Sequence, residues 1–209
     1  EQRQKGVVSA STGNHGAAVA YSAKELDAPC SIFVPKDASE AKLQNIKNYG
    51  AKIEIHGRDC VDSEKKAREV AYQNGQVYVS PYNDHFVVAG QGTIGYEIKD
   101  QCDSLDVIIV SVGGGGLIGG TASYLKSVWP SLQVIGCSPE NSAVMIHSIK
   151  TEKILDLESQ PTLSDGTAGG IEKESITFSI CKDIIDQTIL VSETEIQNGM
   201  LSFLENERL

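Results

Sequence analysis

A chain of 209 residues, 40 % hydrophobic and 22 % charged, has the composition of a folded globular protein with room for one large core or two small ones. Its net charge of -10 argues against a nucleic-acid or anionic-membrane surface, and no apolar run reaches membrane-spanning length. Five scattered cysteines (Cys30, Cys60, Cys102, Cys137 and Cys181) without a C-x-x-C pair suit a reduced, cytoplasmic protein rather than a disulfide framework or a zinc site.

The elements follow in order. Gly6–Ala10 reads as a short strand, Ser11–Gly16 as a polar loop, and the alanine-rich run Ala17–Leu26 as a helix. Cys30–Val34 is the next strand, ended by Pro35. Ser39 caps a helix that Gly50 stops. Lys52–His56 alternates as a strand, Asp62–Asn74 forms a charged helix, and Gln76–Ser80 is a strand again. Short links between alternating strands and helices imply parallel pairing with crossover helices. Ser80-Pro81-Tyr82-Asn83-Asp84 is a break, and the expected domain boundary divides residues 1–83 from 84–209. A helix from Val87 to Gln101 leads into the strand Val107–Val112, and another helix covers Leu117–Ser127. Gln133–Cys137 is a strand, Asn141–Lys150 a helix, and Thr151–Ile176 is rich in loop residues. Thr188–Val191 is the last strand, and Ser192-Glu193-Thr194-Glu195 is a capping box opening the final helix. The chain opens without an initiator Met or a signal peptide, and both ends read as cuts in a longer protein.

Two junctions carry chemistry. The first is Gly113-Gly114-Gly115-Gly116, set between an apolar strand and a helix. Glycines let the backbone approach a ligand, and the free N–H groups of the loop and helix start then favour an anion, with phosphate the natural guest. Gly114, Gly116 and Gly119 also spell a literal G-x-G-x-x-G. A dinucleotide site, however, needs an acid at the end of the following strand, which here ends in Cys137-Ser138-Pro139. No Lys-Ser/Thr follows the glycines, so the P-loop pattern fails as well. The plain alternative is a tight turn with close helix–strand packing. The second junction, Ser11-Thr12-Gly13-Asn14-His15-Gly16, lies at the C-terminal edge of the first parallel sheet, where such folds bind ligands. Capping needs one polar side chain; four in six residues point to a carboxylate site with a second ligand nearby.

These two junctions, with Ala89-Gly90-Gln91-Gly92-Thr93 between them, resemble in order and separation the fold-type-II pyridoxal-phosphate enzymes, namely the serine/threonine dehydratases (ammonia-lyases) and serine racemases. The resemblance covers essentially the whole chain. It implies a tryptophan-synthase-β-like α/β fold of two parallel-sheet domains with a cofactor cleft between them. Residues 1–83 would form the smaller, mobile domain and 84–209 part of the larger one. Gly113, Gly114, Gly115, Gly116 and Leu117 would bind the phosphate of pyridoxal 5'-phosphate, and Gly166 would sit near the cofactor. Asn14 would bond the cofactor's phenolic oxygen. Ser11, Thr12, Asn14 and His15 would line the pocket for the carboxylate of a small hydroxy-amino acid.

The departures from the family pattern sharpen the expectation. The Schiff-base lysine of the family lies upstream of the first motif in a Ser-Phe-Lys-like context; Lys5 stands in no such context, so residues 1–209 are expected to lack it and to be inactive alone. The position equivalent to Thr12 is a serine in the racemases, and Tyr82 matches the aromatic ring of the dehydratases. Ser138-Pro139-Glu140 lacks the carboxylates of the family's metal site at the matching positions, so no metal is expected there. These features favour a dehydratase that converts L-threonine or L-serine to a 2-keto acid and ammonia by α,β-elimination. A racemase and a hydroxyectoine-utilisation-type dehydratase remain as alternatives, as do a nucleotide-binding oxidoreductase domain and a non-catalytic binding fragment. The resemblance leaves a homodimer open.

Overall fold

The computed structural model describes residues 2–36, 38–58 and 60–208. The chain divides into two compact units, Glu1–Asp84 and His85–Leu209.

The first unit runs α1 (Gln2–Lys5), β1 (Val7–Ala10), α2 (Asn14–Glu25), β2 (Cys30–Val34), α3 (Glu40–Asn48), β3 (Lys52–Ile55), α4 (Cys60–Asn74) and β4 (Val77–Val79). All pairings are parallel, as the alternation predicts, in the order β3-β2-β1-β4. Strand side chains alternate between faces, and each face has its own core. Ile32 and Val34 pack with Val19 and Ala20 of α2 and Leu43 and Ile46 of α3. Val8, Ala10 and Phe33 pack with Ala67 and Ala71 of α4. The strand order reverses beside β1: β2 and β3 grow to one side and β4 joins the other. Such a switch point leaves a crevice at the C-terminal end of β1, where Ser11 begins. Gly50 adopts φ +82 just past α3, the left-handed stop read from the sequence. Ser39 stands at the N-cap position, yet its hydroxyl makes no capping bond.

The second unit runs α5 (His85–Gln101), β5 (Val107–Ser111), α6 (Gly116–Val128), β6 (Gln133–Pro139), α7 (Val144–Lys150), α8 (Ile176–Ile184), β7 (Gln187–Val191) and α9 (Glu193–Asn206), with short 3-10 turns at Glu140–Ser142 and Asp165–Thr167. Its strands are parallel in the order β5-β6-β7. Val110, Val112 and Val134 are buried on one face of this sheet, whereas Ile109 and Ile189 on the other are 63 % and 44 % exposed. The capping box forms: Ser192 Oγ accepts from the Glu195 amide while the Glu195 carboxylate accepts from the Ser192 amide. The helix expected over Asn141–Lys150 is broken, because Ala143 adopts φ -111 and ψ 39 between the 3-10 turn and α7. α8 falls in a stretch for which the sequence reading assigns no helix.

Candidate functional site

The tetraglycine joins β5 to α6. Gly115 adopts φ +85, a left-handed conformation that favours glycine, and α6 begins at the next residue. A Cβ on Gly115 would stand 2.7 Å from Cys181 Sγ and 2.9 Å from Met145 Cε, and one on Gly113 would stand 2.7 Å from the Thr167 carbonyl oxygen. Glycine is therefore required here both by backbone angle and by space.

Three carbonyls of this stretch, those of Val112, Gly114 and Gly115, are tied down. Ser138 Oγ donates to the Val112 carbonyl at 2.6 Å. Thr177 Oγ1 donates to the Gly114 carbonyl at 2.6 Å. The Gly115 carbonyl accepts from the Gly119 amide at 2.9 Å and from the Cys181 thiol at 3.7 Å. Burial pushes the Cys181 thiol up to about 12, so it stays protonated and able to donate. Across a trans peptide the C=O and the following N–H point in opposite directions, and the chain has no cis bonds among the described residues. Each tied carbonyl thus turns the next amide, on Gly113, Gly115 and Gly116, to the opposite side. Among the described residues, none of the N–H groups from Gly113 to Ile118 has a hydrogen-bond partner. An array of open amides at the start of a thirteen-residue helix is the donor set that a phosphate needs. The residues present therefore fit the phosphate end of the expected cofactor.

Gly166 lies in the Asp165–Thr167 turn, whose Thr167 carbonyl packs on Gly113. The structure brings this turn beside the glycine loop; Gly166 itself is exposed, with open space where a Cβ would stand. Leu117, in the first turn of α6, is 37 % exposed.

The polar junction of the first unit is shorter than the sequence suggests. Only Ser11, Thr12 and Gly13 form a loop; Asn14, His15 and Gly16 are the first turn of α2. Gly16 permits this early start, because a Cβ there would stand 2.5 Å from the Ser11 carbonyl oxygen. Ser11 Oγ accepts the Gly13 amide at 3.2 Å, which shapes the loop. His15 is half-buried and turned toward the sheet: its Nε2 lies 3.1 Å from Ser9 Oγ and 3.3 Å from the Val79 carbonyl oxygen, to which Ser9 Oγ also donates at 2.6 Å. A carbonyl only accepts, so the imidazole proton sits on Nε2. Burial lowers the His15 pKa and outweighs the Val79 bond, which raises it. The side chains of Thr12 and Asn14 make no hydrogen bond among the described residues, and Asn14 is exposed. The amides of Asn14, His15 and Gly16 are open, since the first bond of α2 runs from the Ala17 amide to the Gly13 carbonyl at 3.1 Å. What α2 offers a carboxylate is therefore a set of backbone donors and the helix dipole, with Thr12 and Asn14 beside them.

At the position that the resemblance assigns to a metal ligand, Ser138 is 2 % exposed and its hydroxyl is spent on Val112. Glu140 is exposed. Sequence reasoning missed Ser175, Thr177 and Cys181, the residues of the α8 region next to the glycine loop. The available signal was Ser175 ahead of Ile176, Ile180 and Ile184, an N-cap residue before a four-residue apolar spacing.

The whole chain, residues 1–209, matches the family described as pyridoxal-phosphate dependent enzyme. The chain belongs to that family. It is 39 % identical over 209 residues to the catabolic L-threonine dehydratase TdcB of Staphylococcus aureus (strain USA300), covering all of this chain and 60 % of that protein. Among solved structures it is similar to the processed form of threonine deaminase isoform 2 from Solanum lycopersicum, with a TM-score of 0.89, 30 % identity and coverage of all of this chain and 60 % of that one. It is also similar to maize serine racemase, with a TM-score of 0.91, 33 % identity and coverage of all of this chain and 63 % of that one. The chain spans about 60 % of the length of the curated relatives it matches. The family's cofactor is pyridoxal phosphate, and no described helix is long and apolar enough to cross a membrane.

Proposed function

We propose that residues 1–209 form the phosphate cradle and carboxylate loop of a pyridoxal-phosphate-dependent ammonia-lyase that converts L-threonine or L-serine to a 2-keto acid and ammonia. The observation that carries this reading is the glycine loop, whose Gly114 and Gly115 carbonyls are bonded to α8 while its amides stay open. When bound, pyridoxal phosphate supplies an electron sink for the charge left on the substrate α-carbon. The residues of this chain hold and orient. The amides of Gly113 to Leu117 grip the phosphate, and Asn14 donates to the cofactor's phenolic oxygen. The amides of Asn14, His15 and Gly16 take the substrate carboxylate, with the Thr12 hydroxyl beside it. Thr12 supports elimination over racemisation, because its added methyl group stiffens χ1 where the racemases carry serine. Five free cysteines support a cytoplasmic location.

The test uses the full-length protein with pyridoxal phosphate and L-threonine, L-serine or D-serine. The expected result is keto acid and ammonia in equal amounts from the two L-substrates. Interconversion of L- and D-serine without keto acid would make the protein a racemase. Saturable binding of NADH with no retention of pyridoxal phosphate would return the glycines to the nucleotide reading.

A further inference from the structure

Three side chains in and just ahead of α8 lie under the glycine loop, and the proposed chemistry uses none of them directly. Ser175 stands at the N-cap position of α8, where a serine hydroxyl ordinarily accepts an amide of the first turn. Here it makes no such bond; Ser175 Oγ lies 2.6 Å from Thr177 Oγ1 instead. Thr177 has one hydroxyl proton, and it goes to the Gly114 carbonyl at 2.6 Å. Ser175 must therefore donate to Thr177, giving a directed chain Ser175 to Thr177 to the Gly114 carbonyl. Consecutive hydrogen bonds of this kind polarise one another. Cys181, one turn further along, takes the next carbonyl at 3.7 Å. Ser175, Thr177 and Cys181 are 5 %, 0 % and 0 % exposed, so water does not compete for these bonds.

We propose that Ser175, Thr177 and Cys181 are positioning residues for phosphate recognition: by holding the Gly114 and Gly115 carbonyls against α8, they aim the Gly115 and Gly116 amides at the anion. A loop of four glycines has many conformations of similar energy, including ones that turn a carbonyl toward a phosphate that it would repel. The side chains of α8 select one conformation, which glycine alone does not do. The inference rests on reading Gly113–Gly116 as a phosphate cradle.

The experiment compares affinities of the full-length apo-protein for pyridoxal phosphate and for pyridoxal, which lacks the phosphate. Thr177→Val keeps the volume and removes the donor. It should weaken pyridoxal phosphate by about tenfold, the worth of one well-made hydrogen bond, and leave pyridoxal within about twofold. Thr177→Ser should restore the wild-type ratio. Equal losses for the two ligands, or no loss for either, would overturn the positioning role, since a merely structural defect does not discriminate between them. Should Thr177→Val fail to fold, Cys181→Ala tests the same point at Gly115: a loss of about threefold confined to the phosphorylated ligand supports the role, and an equal loss for both refutes it. A wild-type protein with no preference for the phosphorylated ligand would instead bring down the cradle itself. Wild-type preference that Thr177→Val leaves unchanged would sink only the α8 inference.

Discussion

The Cys181 thiol lies 3.7 Å from the Gly115 carbonyl oxygen, and a Cβ on Gly115 would stand 2.7 Å from the same sulfur. The glycine loop is thus fixed twice over, by a bond to its carbonyl and by contact where its side chain would be. Gly50 gives the matched control, since it has nearly the same φ, +82 against +85, with nothing within 4 Å of the site of a Cβ. Gly50→Ala should cost only the left-handed backbone penalty, roughly 1–2 kcal/mol. Gly115→Ala adds overpacking of roughly 1–3 kcal/mol to the same penalty and should also lower affinity for pyridoxal phosphate. Urea unfolding of the two variants, with cofactor titration, checks the difference. Equal destabilisation would mean that α8 yields to the methyl group.

His15 gives the folded protein a pH dependence of known sign. Burial holds its imidazole below the ordinary value of 6.5, with the Val79 bond opposing. In the unfolded chain this histidine takes up a proton near 6.5, whereas in the folded chain it does so only at lower pH. Its contribution to stability is present in full above pH 6.5 and is lost as the pH falls below it, by at most about 1.4 kcal/mol per pH unit. His15→Gln retains a donor for the Val79 carbonyl but does not titrate. Between pH 7.5 and 5.5 the urea midpoint of the wild type should fall further than that of His15→Gln. Parallel curves would show that His15 charges without cost.

Asn14 separates binding from folding. It opens α2, is exposed, and its side chain makes no hydrogen bond among the described residues. Asn14→Ala should leave the unfolding free energy within about 0.5 kcal/mol of wild type. Loss of a bond to a charged phenolic oxygen should weaken pyridoxal phosphate by about tenfold or more. Loss of stability with unchanged cofactor affinity would assign Asn14 to the helix start alone.

The legible parts of the fold were those that local rules dictate. Alternating strands and helices gave the parallel first sheet, Gly50 its left-handed turn, and Ser192 with Glu195 the capping box. The start of α2 was misplaced by three residues because Gly16 reads as a loop residue. The reason it is glycine is tertiary: the Ser11 carbonyl leaves no room for a Cβ. α8 was missed because its nine residues follow a long stretch of Ser, Thr and Gly, and its apolar spacing is short. The glycine loop was visible as a run of one residue type. What aims it was not, because Ser138, Thr177 and Cys181 reach it from 26, 63 and 66 residues away in sequence.

Lys5 provides a last test, directed at the amine. It ends the four-residue helix α1 ahead of β1, at the edge of the sheet opposite Ser11. β1 has four residues, and at about 3.3 Å per residue its ends stand roughly 10 Å apart. The Lys5 carbonyl accepts from Gln76 Nε2 at 2.9 Å, and its ammonium lies 3.0 Å from where a Gly75 Cβ would stand, beside the end of α4. Lys5 therefore belongs to the packing of α1 on the Gly75–Gln76 link after α4 and not to the ligand edge of the sheet. Lys5→Met in the full-length protein should leave pyridoxal phosphate content and keto-acid production unchanged. Borohydride reduction of the wild type at stoichiometric cofactor, followed by peptide mass mapping, should leave Lys5 unlabelled. A stoichiometric adduct on Lys5 would move the reactive amine into this chain and overturn its assignment as a holding and orienting part.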